Sequence, residues 1–377
     1  MLGLYVHIPF CAAICNYCNF NRGLFDGPQK GRYVEALIAE IAGAGRAGGV
    51  ARDAADTIYF GGGTPSLLEP SEIARIVSAC RETFDVAGDA EVTLEANPET
   101  VDETKLAAFR AAGVNRLSVG VQSFRDEELR RLSRLHTADR ARLAVGEARK
   151  AGFDNLSLDL MMWLPEQRVE QWLASVDAAI ALGPDHFSFY LLEVYPNAPL
   201  KDDMARARWS QAPDDDAAAM YVSAMERLES AGYEQYEISN ASRPGRRSRH
   251  NLKYWTDGEW LGFGCGAHAT RGGVRTRNLS GTDDYIACVT SGRSPAIEVR
   301  RMSLEERLGD ALFTGLRLTD GVNLDAIRER YGVDVWQRYG AELADHVDAG
   351  LVRRDGARLW LTRQGMLLAH EVMTVFV

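Results

Sequence analysis

The sequence predicts an α/β fold, in which six βα units surround a parallel sheet and a connecting segment leads to a small C-terminal α+β domain of winged-helix type. Three observations predict it. Up to about residue 195, short β-branched or apolar runs alternate with helix-like stretches, as in repeated βα units. Each run is followed by polar or glycine-rich residues, the character of the C-terminal rim of a barrel, where barrel enzymes place their sites. From about residue 303 the composition turns helical again and ends on a hairpin pattern.

Taken in order, strands are expected at 3–8, 56–60, 91–95, 116–121, 155–160 and 186–191, with helices such as 29–42 and 104–112 between them. Pro70 and Ser71 read as a helix start, and Gly113 and Gly152 as helix stops. The stretches after the strands are Cys11 to Cys18, Gly61 to Pro65, Glu95, Gln122, Asp159 and Glu193. These units make a core domain over 1–235. The connecting segment, 236–302, is less regular, and 241–255 holds Arg243, Arg246, Arg247, Arg249 and Lys253 without an acid. In the last domain, 303–377, the run LVRRDGARLWLT reads as a hairpin turning at Asp355-Gly356, followed by a final helix.

Hydrophobic residues at 46% and charged residues at 25% are globular values, and the 35 glycines and 12 prolines show no period, so disorder and repeats are not expected. A formal charge of −10 argues against nucleic acid as the main partner. The start MLGLYVHIPFC lacks a basic leader with an apolar core, and no later run approaches the ~18 apolar residues of a membrane span, so a cytoplasmic protein is expected. Cytoplasmic thiols stay reduced. Six cysteines, three of them crowded together, therefore point to metal binding or catalysis before disulfides.

Cys11, Cys15 and Cys18 form C-x3-C-x2-C in the loop after the first strand. Thiolates are the usual ligands of iron–sulfur clusters, and three on one tight loop can hold three irons of a cubane and leave the fourth open. A zinc site or inert buried thiols are the other readings; structural zinc wants four ligands, and no second C-x2-C follows. His7, on the preceding strand, could supply a fourth ligand, but its place on that strand reads rather as support for the loop. Cys80, Cys265 and Cys288 read as buried thiols. Gly61-Gly62-Gly63-Thr64-Pro65 lets a ligand approach the backbone closely, although a glycine run after a strand is also simply a turn. Glu95 and Asp159 end their strands, where carboxylates can accept hydrogen bonds from an ammonium or from ribose hydroxyls; helix caps or surface charges are the alternative.

The runs YVHIPFCAAICNYCNF, YFGGGTPSLL, LEANPE, RLSVGVQSF, LSLDLM, RHNLKYW and GFGCGAHA, spread over nearly the whole chain, resemble the family of oxygen-independent coproporphyrinogen III oxidases and their HemW-type relatives. The resemblance implies a radical S-adenosylmethionine (SAM) partial (β/α)6 barrel with a [4Fe–4S] cluster on Cys11, Cys15 and Cys18. It places SAM near Tyr5, Gly62, Gly63, Thr64, Glu95, Gln122, Arg134 and Asp159; Glu193 matches by position alone. Where relatives carry an aromatic–glycine pair, this chain reads Met162-Trp163-Leu164-Pro165, which puts a bulky Trp163 at the pocket floor.

Within that family the oxidase branch has a fourth cysteine two residues after the third, where this chain has Phe20, and an extension before the cluster strand, where this chain begins almost at Tyr5. The HemW-type branch carries H-N-x-x-Y-W, here His250 to Trp255, and is regarded as a group of heme-binding chaperones. A histidine is a normal axial ligand of heme iron, and arginines pair with carboxylates such as propionates. The resemblance therefore implies heme binding through His250, supported by Arg246, Arg247, Arg249, Tyr254 and Trp255. Its partners would be heme and acceptor hemoproteins, respiratory ones among them, with a homodimer and peripheral contact with membrane-bound acceptors compatible with it. A solvated basic loop anchored by two core aromatics is the plainer reading of the segment. His268 is expected to pack against neighbouring glycines. The alternative function is the oxidase reaction, radical decarboxylation of coproporphyrinogen III propionates begun by reductive SAM cleavage. RNA modification fares worse, because the helix at 335–349 sets Glu342, Asp345 and Asp348 against Arg338 and would repel phosphates.

Overall fold

The computed structural model describes residues 1–45 and 52–377. Six parallel strands form its centre: β1 (Leu2–Ile8), β2 (Ala54–Gly62), β3 (Asp85–Ala96), β4 (Arg116–Gln122), β5 (Leu156–Met162) and β6 (His186–Leu191), joined in sequence order. Each expected strand is present, lengthened by a few residues at most ends. The helix stops also hold, with Gly113 at φ +101° and Gly152 at φ +89°, left-handed values that glycine adopts without a Cβ penalty. The helix Gly27–Ala44 starts at Asp26, whose carboxylate accepts from the Gln29 amide.

The six strands do not close into a barrel. β6 instead pairs antiparallel with β8 (Asn240–Ser242), which pairs with β7 (Glu234–Glu237). On the other side β1 takes β9 (Trp260–Phe263) in parallel, then β10 (His268–Arg271), β11 (Val274–Asn278) and β12 (Ala296–Arg301) in antiparallel succession, giving one sheet of 12 strands. The connecting segment is thus largely built into the core sheet.

Strand alternation divides this sheet into two faces. Ile58 and Phe60, Val92 and Leu94, Leu117 and Val119, and Leu156 and Leu158 enter the apolar core shared with the helices. The residues between them line the lumen and are polar: Thr57 and Tyr59, Thr93 and Glu95, Arg116 and Ser118, Ser157 and Asp159, His186 and Ser188. They meet one another, with Ser118 Oγ 3.1 Å from Asp159 Oδ1 and Ser157 Oγ 2.8 Å from His186 Nδ1.

The C-terminal domain has its own core, with Leu312, Leu343, Leu359, Leu361 and Val372 buried together. Its helices Leu304–Gly315, Leu324–Tyr331 and Val335–Asp348 precede a wing of strands Val352–Asp355 and Arg358–Leu361, with Val322–Asn323 on the far edge. Ser303 and Glu306 form a reciprocal cap on the first of these helices. Asp355 pairs with Arg358, so the hairpin turns on Gly356 and Ala357, one residue later than expected. The final helix divides into Arg363–Leu367 and Ala369–Met373.

Candidate functional site

Residues that follow the strands gather at one end of the lumen. The cysteine loop leaves β1 there, and its start is laid against the glycine run: Gly63 N donates to Ile8 O at 2.7 Å, and Thr64 N to Phe10 O at 2.7 Å. Only glycine fits between these backbones, since a Cβ on Gly63 would lie 2.8 Å from Phe10 O and 2.9 Å from Ile8 O. Gly62 has φ +115°, and a Cβ there would meet the His7 ring at 2.4 Å. Both nitrogens of His7 are engaged, Nδ1 by the Tyr5 hydroxyl and Nε2 by Asn21 O at 2.7 Å, so it supports the loop's far arm as expected.

Cys11, Cys15 and Cys18 are free thiols. Cys11 is buried, and burial pushes its pKa and that of Cys18 up; the pull in the other direction comes from the Thr64 hydroxyl at Cys11, 3.6 Å from its Sγ, and at Cys18 from the Phe20 backbone and then Arg22. Arg134 Nη1 lies 3.6 Å from Cys15 Sγ. Three soft thiolate donors beside two guanidiniums suit an anionic iron–sulfur group, and their donor chemistry fits a cluster held by Cys11, Cys15 and Cys18.

A hydrogen-bonded belt joins two of these cysteines. Arg134 Nη2 donates to Asn97 Oδ1 at 2.7 Å and to Gly120 O at 2.6 Å, and Asn97 Nδ2 donates to Thr64 Oγ1 at 3.2 Å. The path runs from Cys15 through Arg134, Asn97 and Thr64 to Cys11.

Glu95 receives Tyr59 OH at 2.7 Å and Gly62 N at 3.2 Å. Burial raises its pKa to about 7 against those bonds, and the Asp159 charge adds to the rise. Burial likewise raises Asp159, which Ser188, Ser118 and Arg116 pull back. Arg116, 1% exposed, places a charge in the lumen with its Nε unpartnered among the described residues. Gln122 takes φ +66°, rare for a residue with a side chain, and its buried Oε1 has no partner among the described residues. Such strain and an orphaned acceptor mark a place built for a ligand. Tyr5, Gly62, Gly63, Thr64, Glu95, Gln122, Arg134 and Asp159 thus share one end of the lumen. Glu193 is exposed and receives the Tyr195 hydroxyl at 2.6 Å.

His250 stands elsewhere. It opens the helix Arg249–Trp255, which fills the opposite end of the lumen, where Glu91 accepts from the Arg249 and His250 amides at 3.1 Å each. The imidazole is 1% exposed, with Nδ1 2.8 Å from Thr57 Oγ1 and Nε2 2.9 Å from the Tyr254 hydroxyl. Burial, then Lys253 and Arg116, lowers its pKa to about 3, so the ring is neutral. Neither nitrogen is presented to a ligand in this arrangement. The basic loop is internally matched: Arg246 lies 3.8 Å from Asp154, Arg247 3.0 Å from Asp320, Arg249 3.4 Å from Asp89 and Lys253 2.5 Å from Asp56. Tyr254 packs edge-on to Trp260 at 4.7 Å, and Arg317 lies over the Trp255 ring at 4.4 Å.

Two lesser expectations are corrected. The His268 side chain is exposed; its backbone, not its ring, faces Gly262. Trp163 has φ +62° and donates its indole N–H to Ala212 O at 2.8 Å, tying down the loop before the helix Asp214–Ser230. Cys80, Cys265 and Cys288 are buried, as expected.

Residues 5–179 match the radical SAM superfamily, and 302–368 match the HemN C-terminal domain. The chain is 35% identical to heme chaperone HemW of Bacillus subtilis, over 100% of this chain and 99% of that one. The chain belongs to the HemW family. Another member, heme chaperone HemW of Mycobacterium tuberculosis, is 37% identical over 98% of this chain and 93% of its own. The mouse protein named radical S-adenosyl methionine domain-containing protein 1, mitochondrial, is 36% identical over 98% and 86%. Coproporphyrinogen III oxidase (HemN) of Escherichia coli has the same fold, with a TM-score of 0.87 over 100% of this chain and 89% of that one at 24% identity. Through its radical SAM domain, membership of the HemW family implies a [4Fe–4S] cluster and SAM. No helix among the described residues is long and apolar enough to cross a membrane.

Sequence reading had missed Tyr59, Asn97 and Arg116. For Tyr59 and Arg116 the signal was present in D-T-I-Y-F and R-L-S-V-G, where polar residues alternate with apolar ones in strands that all run parallel; Asn97 lies just past its strand, outside that alternation. A polar face shared by every strand of a covered sheet has only the lumen to face.

Proposed function

We propose that this protein is a heme chaperone that binds heme and delivers it to acceptor hemoproteins in the cytoplasm, carrying a [4Fe–4S] cluster on Cys11, Cys15 and Cys18 and SAM at the adjoining rim. The observation that carries the reading is identity over the full chain length to a protein named as a heme chaperone. Phe20 supports it, standing where the oxidase branch has a fourth cysteine; it is 65% exposed beside the cluster loop. The bound cluster and SAM together would supply reductive chemistry. The chain's own part is to hold them: three thiolates with Arg134 and Arg22 beside them, carboxylates at Glu95 and Asp159, and backbone groups of Gly62 and Gly63.

For heme, the surface groups of the motif segment are Arg246, Arg247 and Arg249, each roughly a third exposed on the side chain. His250 reaches heme iron only if the helix Arg249–Trp255 leaves the lumen, giving up the bonds to Thr57 and Glu91. Heme titration of His250→Ala beside single arginine variants tests that step. The reading expects weaker heme retention in His250→Ala than in any single arginine variant, since exposed pairs contribute only about 0.2–1 kcal/mol each. Wild-type retention in His250→Ala would move the ligand elsewhere. The alternative function, coproporphyrinogen III oxidation, is tested by product formation from that substrate.

A further inference from the structure

The helix Arg249–Trp255 and the rim that carries Glu95 sit at opposite ends of the lumen, yet a continuous stack connects them. His250 lies flat on Tyr59, ring centroids 5.1 Å apart and planes at 28°, and Tyr5 sits beside both rings, 6.2 Å from Tyr59 at 23° and 6.4 Å from His250 at 32°. Tyr59 then donates its hydroxyl to Glu95 Oε1 at 2.7 Å. The base of the stack is fixed three times over, by Thr57 and Tyr254 on the ring nitrogens and by Glu91 on the backbone amide. Gly3 leaves the room it needs, for a Cβ there would come within 3.0 Å of the His250 ring.

We propose that His250 is a positioning residue for the SAM site: it fixes the Tyr59 ring, and Tyr59 fixes the Glu95 carboxylate. The proposal rests on the reading of Glu95 as a SAM contact. The His250 ring packed on Tyr59, with Tyr5 beside them both, sets the tilt of Tyr59, so its hydroxyl holds one carboxylate oxygen of Glu95. The other oxygen takes Gly62 N at 3.2 Å, at the glycine run that faces the cysteine loop. Without His250, a cavity opens beneath Tyr59, the ring gains rotamers, and Glu95 loses its fixed direction. The same ring cannot both serve this stack and meet heme iron, so heme capture by His250 would loosen SAM binding.

The test is SAM affinity of the cluster-loaded, full-length protein by calorimetry, with iron content and melting temperature measured alongside. Tyr59→Phe keeps the stack and removes only the hydroxyl; His250→Ala removes the stack; His250→Phe restores a flat ring without its nitrogens. Tyr59→Phe and His250→Ala should each weaken SAM binding about three- to tenfold, the range of one hydrogen bond, at unchanged iron content. His250→Phe should recover most of the affinity lost in His250→Ala, and the Tyr59→Phe/His250→Ala pair should lose less than the product of the single effects. Wild-type SAM affinity in Tyr59→Phe, while Glu95→Gln binds weakly, would overturn the proposal and leave the Glu95 assignment standing. Wild-type affinity in Glu95→Gln would overturn both. His250→Phe binding no better than His250→Ala would remove the stack from the account. Should the His250 variants fail to fold, Tyr59→Phe alone decides, since it deletes one oxygen.

Discussion

Asn97→Ala removes the middle of the belt between Cys11 and Cys15 while touching neither cysteine. Two hydrogen bonds go. The one from Arg134, at 2.7 Å, is charge-assisted and of the kind that contributes about 1.5–3 kcal/mol, and the one to Thr64, at 3.2 Å, is neutral and of the ~0.5–1.5 kcal/mol kind. Asn97 is half-buried, and Arg134 keeps Gly120 O, so the loss is reduced from both sides. A net effect of about 1–2 kcal/mol follows, a factor of roughly five to thirty in SAM affinity if Arg134 is a SAM contact. Calorimetry on cluster-loaded protein reads that factor. The cluster absorbance should persist, since all three thiolates remain, but decay faster on dilution into chelator. Unchanged SAM affinity together with unchanged cluster lifetime would show that Arg134 and Thr64 are held without Asn97, and the belt would be incidental.

Changing Cys11, Cys15 or Cys18 to Ala should abolish iron–sulfur absorbance, whereas Cys80→Ala, Cys265→Ala and Cys288→Ala should retain it; full iron loading in the triple Cys11/Cys15/Cys18 variant would refute the ligand assignment. Gly63→Ala forces a methyl against Ile8 O and Phe10 O and should destabilise by about 1–3 kcal/mol while impairing cluster loading, measured by thermal unfolding and iron content. Glu40, which receives Gly264 N at 2.8 Å and Asn278 Nδ2 at 2.7 Å, is pushed up to about 7 by burial. Its folded form therefore keeps a proton that the unfolded chain releases near pH 4.5. The stability from this group is present below that pH and is lost as pH rises toward 7, on the order of 3 kcal/mol in all. Glu40→Gln should lack that component, so the stability difference between variant and wild type should change across pH 4.5–7; a constant difference would mean that Glu40 is ionised throughout.

The strands were legible because a parallel sheet covered on one face by helices writes its outward residues as Ile, Val, Leu and Phe, and because Gly113 and Gly152 mark where helices must stop. The cluster loop and the rim were legible because cysteine spacing and strand-end carboxylates are local patterns. The position of His250 was not. Its neighbours are Thr57 and Glu91, more than 150 residues away in sequence, and a basic run with no acid among its own residues gives no sign that Asp56, Asp89, Asp154 and Asp320 wait to pair with it. Distance in sequence also hides β9, which pairs with β1, while VRTRN and AIEVRR are short and charged and become strands by local antiparallel pairing that extends the sheet beyond β9. The final helix divides at Leu368, and nothing in the structure explains the break.

Heme transfer is the activity proposed for this protein. Cluster-loaded protein should take up heme in a titration and, mixed with an apo-hemoprotein, pass it on, which the acceptor's own absorbance spectrum reports. The same preparation, reduced and given SAM and coproporphyrinogen III, should form no protoporphyrinogen. Steady conversion of coproporphyrinogen III, with no heme retained after desalting, would contradict the claim and make this chain an oxidase.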